Sequence, residues 1–107
     1  MVDAAAAVRT RLVALLVEGG IRVIGEAATS LHARQLALTD VPDAIVLDVD
    51  LPDRGGFALI ADLSPTMRIL VLTNALPYRR RCLMLGAHAF LDKSSEFANV
   101  AALLARF

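Results

Sequence analysis

Three short apolar runs in this chain lead into residues that can do chemistry. Ala44-Ile45-Val46-Leu47 ends in Asp48, Ile69-Leu70-Val71-Leu72 ends in Thr73, and Ala89-Phe90-Leu91 is followed by Asp92 and Lys93. A carboxylate can attack phosphorus as a nucleophile and form an acyl phosphate. The resulting oxygens then need donors, and a Thr hydroxyl and a Lys ammonium supply a hydrogen bond and a compact charge. Lys93 is the single lysine beside ten arginines, which marks it out, because a planar guanidinium fork does not replace a point charge.

Taken one at a time, these residues say little. An Asp after a strand is often a turn former, Thr73 alone reads as structural, and Lys93 alone reads as a solvated surface charge. Their meaning depends on the elements that must position them. Residues 4–18 read as a helix with Val8, Leu12, Leu15 and Leu16 on one face and Arg9 and Arg11 off it, stopped by Gly19-Gly20. Residues 21–25 read as a short strand, and Ser30 is expected to cap a second helix running to about Leu38. The apolar run into Asp48 is a strand, residues 57–63 a short helix closed by Pro65, and the run into Thr73 another strand. Pro77 leads into a helix over 78–85 that Gly86 ends. A short strand at 89–91 follows, and Ser95 is expected to start a last helix with Phe97, Val100, Leu103 and Leu104 facing inward.

Strands alternating with helices at this spacing imply right-handed crossovers and a parallel sheet covered on both faces. Continuous apolar strands agree with that burial. In such a sheet the C-terminal strand ends share one edge, where ligands bind, so Asp48, Thr73 and Lys93 are expected together.

With 107 residues there is room for one domain spanning 1–107, and a chain 57% hydrophobic and 21% charged is expected to pack a core. The formal charge of zero predicts no nucleic-acid footprint. One cysteine, Cys82, excludes an internal disulfide and a Cys-based metal site. No apolar run approaches the roughly 18–20 residues that cross a bilayer, and the N-terminus lacks a signal-peptide pattern, so a cytoplasmic location is expected. Arg79-Arg80-Arg81 reads as a solvated helix face, Cys82 as a packing residue, and His32 and His88 as surface or packing residues. No Gly-rich phosphate loop is present, and nothing points to a flavin or other cofactor enzyme.

The residues around Asp48 closely resemble the receiver domain of two-component response regulators, over about residues 3–100. The resemblance rests on Pro42-Asp43-Ala44-Ile45-Val46-Leu47-Asp48 followed by Pro52 and Gly55-Gly56, on Thr73 after its strand, and on Leu85-Gly86-Ala87, Phe90 and Asp92-Lys93-Ser94. Tyr78-Arg79-Arg80-Arg81-Cys82 with Lys93-Ser94 and Glu96-Phe97 looks like a subgroup of stand-alone receivers. The resemblance implies a flavodoxin-like, doubly wound parallel sheet in which Asp48 is the phosphoacceptor, Thr73 and Phe90 are the switch pair and Lys93 is the site lysine. It also implies Mg²⁺ held by Asp3, Asp48 and the backbone carbonyl of Asp50, and Mg²⁺ offsets charge repulsion during phosphoryl transfer.

Three departures qualify the resemblance. Ala4 stands where the family's second acid belongs, so Mg²⁺ binding is expected to be weak or lost. Asn74 follows the Thr where a small residue is usual. The first, central strand is largely missing, which leaves a gap to be met by an upstream start, by strand exchange with another copy, or by a degenerate four-stranded fold.

The expected partner is a histidine kinase or phosphotransfer protein, and the output an unknown protein or a homodimer, since no output domain is expected after the last helix. The expected role is a phosphoacceptor rather than an enzyme. The alternative is a degenerate pseudo-receiver acting as an interaction module without phosphorylation.

Overall fold

The computed structural model describes residues 1–107. Its sheet has three parallel strands, β1 (Ala44–Leu47), β2 (Arg68–Thr73) and β3 (Ala89–Asp92), in the order β1-β2-β3. Ile45 pairs with Ile69 and Val71 with Phe90, so Thr73 and Asp92 fall side by side at one end. The helices are α1 (Ala6–Glu18), α2 (Ser30–Asp40), α3 (Gly56–Leu63), α4 (Arg79–Met84), α5 (Lys93–Glu96) and α6 (Val100–Leu104). Single 3₁₀ turns, Leu76–Tyr78 and Phe97–Asn99, lead into α4 and join α5 to α6.

Side chains alternate across a strand, so each apolar run feeds two cores. Ile45, Leu47, Ile69 and Val71 face one way and pack with Ala33 and Ala37 of α2 and Leu59, Ile60 and Leu63 of α3. Val46, Leu70, Leu72 and Leu91 face the other way, against Leu12 and Leu16 of α1 and Phe97 and Val100. Each fully buried Leu or Ile contributes about 1.5–3 kcal/mol, which is why four-residue strands suffice. Cys82 lies wholly inside the first core, and burial pushes its thiol pKa up, in keeping with a packing role.

Two glycines are required by space or conformation. Gly56 opens α3 so close to the preceding loop that a Cβ there would meet the Val49 carbonyl oxygen at 2.6 Å. Gly86 ends α4 at φ +117, a conformation L side chains rarely adopt.

The first strand survives as one residue. Val2 bridges in parallel to Leu47 on one side and to Ala27 on the other. Its amide donates to the Val46 carbonyl at 2.8 Å, its carbonyl accepts from Asp48 at 2.9 Å, and Asp3 donates to Ala27 at 3.0 Å.

Several local expectations are corrected. Residues 21–25 form no strand and pair with none of the three strands of the sheet. Thr29, not Ser30, caps α2, its hydroxyl accepting from the His32 amide at 3.2 Å, and the helix runs on to Asp40. Ser30 instead donates to Asp53 at 2.7 Å. Pro77 belongs to the 3₁₀ turn, so α4 begins at Arg79. The last helical segment begins at Lys93 rather than Ser95, because Asp92 caps it by accepting from the Ser94 amide at 3.0 Å.

Candidate functional site

β1 delivers Asp48 to the sheet edge, where the carboxylate is buried. Its Oδ1 accepts from the Asp50 amide at 3.0 Å and from the Thr73 hydroxyl at 2.6 Å. Its Oδ2 accepts from the Lys93 ammonium. Thr73 is fully buried at the end of β2, and its hydroxyl also accepts from the Ala75 amide at 3.2 Å. The hydroxyl thus links the carboxylate to the loop that leads toward α4.

Lys93 reaches the same place from the end of β3, because its helix begins at once after Asp92. Its ammonium is shared between Asp48 and Asp3, whose Oδ2 accepts at 2.5 Å. Asp3 is itself held tightly. Its Oδ1 accepts from the Ala5 amide at 2.9 Å, and its backbone carbonyl accepts from the Arg9 guanidinium at 2.6 Å. Burial pulls the Lys93 pKa down, but hydrogen bonds and charge from Asp3 and Asp48 outweigh it and leave the pKa raised. No buried side-chain polar atom of the protein lacks a partner.

The expected trio therefore meets in space, with Asp3 as a fourth member. Asp50 is exposed and contributes its amide to Asp48. Ala4 is exposed and brings no oxygen beyond its backbone, and Asn74 is exposed just past Thr73. Phe90 is half-buried against the first core, beside Val71, and takes no part in the hydrogen-bond network. Sequence reasoning missed the Asp3–Lys93 ion pair and the Ala75–Thr73 bond. The first lay hidden because the partners are 90 positions apart, and the second because a backbone amide leaves no mark in a sequence.

A cation has two carboxylates to bind here. Asp3 and Asp48 oppose one ammonium, leaving a formal negative charge, and Mg²⁺ is commonly held by one or two carboxylates with the rest of its shell from water or phosphate. The donor chemistry fits such an ion. No group of three or more His, Cys, Asp or Glu side chains converges anywhere, so the protein-derived set is sparse.

The sequence profile of the response regulator receiver domain matches residues 1–105. The chain belongs to that family. Receiver domains take part in two-component signalling as phosphoacceptors, and the module is not enzymatic in itself. They interact with histidine kinases and output domains and typically bind Mg²⁺ in an acidic pocket. This receiver is 34% identical over 91 residues to the virulence-factor transcription regulator BvgA of Bordetella pertussis, covering 80% of this chain and 44% of that protein. It is 31% identical over 105 residues to a transcriptional regulator of Pseudomonas aeruginosa, covering 94% of this chain and 51% of that one. The receiver thus spans about half the length of these curated relatives. Among solved structures, the receiver domain of NarL from Mycobacterium tuberculosis superposes with a TM-score of 0.88 at 24% identity, covering 98% of this chain and 90% of that one. That likeness confirms the α/β receiver fold. No helix is long and apolar enough to cross a membrane.

Proposed function

We propose that Asp48 is the phosphoacceptor of this receiver, taking its phosphoryl group from a histidine kinase or phosphotransfer protein in the cytoplasm. The supporting observation is the division of labour on one carboxylate, with Thr73 on one oxygen and Lys93 on the other. An Asp48 oxygen attacks phosphorus as the P–N bond to the donor histidine breaks, and the leaving imidazole takes a proton from solvent. Thr73 and Lys93 are then in place to donate to the new phosphoryl oxygens. Mg²⁺ held by Asp3, Asp48 and the Asp50 carbonyl would supply neutralisation of the approaching charge.

The added charge, about −1.5 to −2 for a phosphoryl group, draws on the Thr73 hydroxyl. Because that hydroxyl also holds the Ala75 amide, a shift at Thr73 moves the loop into α4. Phe90 repacks with it and alters the face of α4, β3 and α5, to which an output protein or a second copy responds.

A second reading, an interaction module that is never phosphorylated, is favoured by the absence of an acid at Ala4 and the sparse donor set. Incubation with acetyl phosphate and Mg²⁺, followed by intact mass measurement, separates the two. A gain of one phosphoryl group that disappears in Asp48→Asn supports phosphoacceptance. No gain over hours at high Mg²⁺ leaves the interaction module.

A further inference from the structure

Residues 48–55 carry the chain from the end of β1 to the start of α3, and Asp48 is the first of them. The segment turns back on Asp48 through one bond, from the Asp50 amide to Oδ1 at 3.0 Å. Asp50 stands between Val49 and Leu51, both buried. The Leu51 carbonyl accepts from the Arg54 amide at 3.0 Å, closing a turn whose second residue, Pro52, has a fixed φ. Arg54 leaves that turn at φ 57, in the left-handed region. A residue without glycine's freedom stays there only where its surroundings over-determine the backbone.

The outside restraint on this turn is Asp53. Its Oδ2 accepts from the Ser30 hydroxyl at 2.7 Å and from the Leu31 amide at 3.1 Å, both at the start of α2. Its Oδ1 accepts from the Gly55 amide at 3.3 Å. Every other hydrogen bond made by residues 49–54 closes within residues 48–55. The two segments also touch, because Ser30 is buried and a Cβ at Gly55 would lie 1.9 Å from its hydroxyl oxygen. α2 has a cap of its own in Thr29, whose hydroxyl accepts from the His32 amide. The Asp53 carboxylate is thus more than a helix cap. It is the one polar link between the loop beside Asp48 and another element.

The structure assigns to Asp53 a positioning role in phosphoryl transfer to Asp48, an assignment that rests on Asp48 being the phosphoacceptor. Pinning the turn to α2 keeps the Asp50 amide on Asp48 Oδ1, and the Thr73 hydroxyl on the same atom completes the orientation of the carboxylate. With acetyl phosphate, an Asp48 oxygen forms a bond to phosphorus while the P–O bond to the acetyl group breaks and acetate leaves with the electron pair. Asp53 meets none of these atoms. Releasing it loosens the nucleophile, and a loosely held nucleophile reacts more slowly.

The test follows phosphorylation by acetyl phosphate and Mg²⁺ with intact mass over time, and amide hydrogen exchange of the unphosphorylated protein. Asp53→Ala is expected to slow phosphorylation about fivefold or more, and to speed exchange at the Asp50 amide while β2 keeps its protection. Ser30→Ala should act in the same direction, and the double variant should be no slower than Asp53→Ala, because both changes break one link. Asp53→Asn keeps an oxygen for Ser30 and Leu31 and should restore the rate to within roughly twofold of wild type. Thr29→Ala removes the other cap of α2, so it should lower the urea midpoint and leave the rate unchanged. If the wild type takes up no phosphoryl group, the phosphoacceptor reading fails and this assignment falls with it. If the wild type is modified and Asp53→Ala keeps its rate or its Asp50 exchange, the assignment alone is overturned. It is equally overturned if Thr29→Ala slows the reaction as much as Asp53→Ala, or if Asp53→Asn restores nothing.

Discussion

Lys93 and Asp3 stand 90 residues apart in the chain and 2.5 Å apart in the fold. The same ammonium holds Asp48, so one side chain closes the sheet edge from both ends of the sequence. Removing it leaves two buried carboxylates facing each other without a cation. Lys93→Met is expected to cost about 3 kcal/mol in urea unfolding, and adding Asp3→Asn should recover part of that loss. If the single variant unfolds at the wild-type midpoint, the ion pair carries no stability.

Alkaline pH tests the same group. Its pKa is lifted above the ordinary 10.5, because the bonds and charges of Asp3 and Asp48 exceed the cost of burial. A base held this way stabilises fully below pH 10.5 and loses its contribution as pH rises through the folded value. Urea midpoints of the wild type should therefore fall in that range more steeply than those of Lys93→Arg, whose guanidinium keeps its charge.

Thr73 serves two partners with one hydroxyl. Thr73→Val keeps the shape but leaves Asp48 Oδ1 short of one donor, at a cost of about 1–3 kcal/mol. Thr73→Ser keeps the hydroxyl and should unfold within about 1 kcal/mol of wild type. In the acetyl phosphate reaction the Val variant should also hold a phosphoryl group for a different lifetime from the Ser variant, read by intact mass over time.

The Met1 ammonium is buried beside the Gly25 carbonyl, and burial lowers its pKa from the ordinary 8.0 against the opposing pull of Glu26. The fold disfavours this charge, so stability should rise as pH climbs from the folded value toward 8.0. N-terminal acetylation removes the charge. The acetylated protein is expected to melt higher at pH 6 and to lose this slope in thermal scans.

Asp53 governs the acid side. Its carboxylate accepts from the Ser30 hydroxyl and the Leu31 amide at the start of α2, and these bonds lower its pKa to about 2. Its contribution is present above pH 3.8 and drains as pH falls through about 2. Asp53→Asn should lower the melting temperature at pH 7 and narrow the gap to wild type at low pH.

The strands into Asp48, Thr73 and Lys93 were legible because both sheet faces are buried, and unbroken apolar runs have few other uses in a short chain. Their meeting at one edge followed from parallel topology alone. Residues 21–25 failed for the converse reason, since strand-like composition makes no strand without a neighbour to bond. Thr29 and Ser30 both carry a hydroxyl, and only the position of Asp53 decides which of them caps α2. Asp92 hid the start of the last helix because a strand-ending residue can also be a cap. Val41, bent to φ 29 between α2 and Pro42, is an unfavourable backbone for a β-branched side chain that no local pattern announces.

Val2 joins Ala27, just ahead of α2, to Leu47 of β1 at the Asp48 edge. The protein is therefore a book bound at one corner. The acid, alcohol and amine of the site lie at that bound corner, beside the Val2 rung.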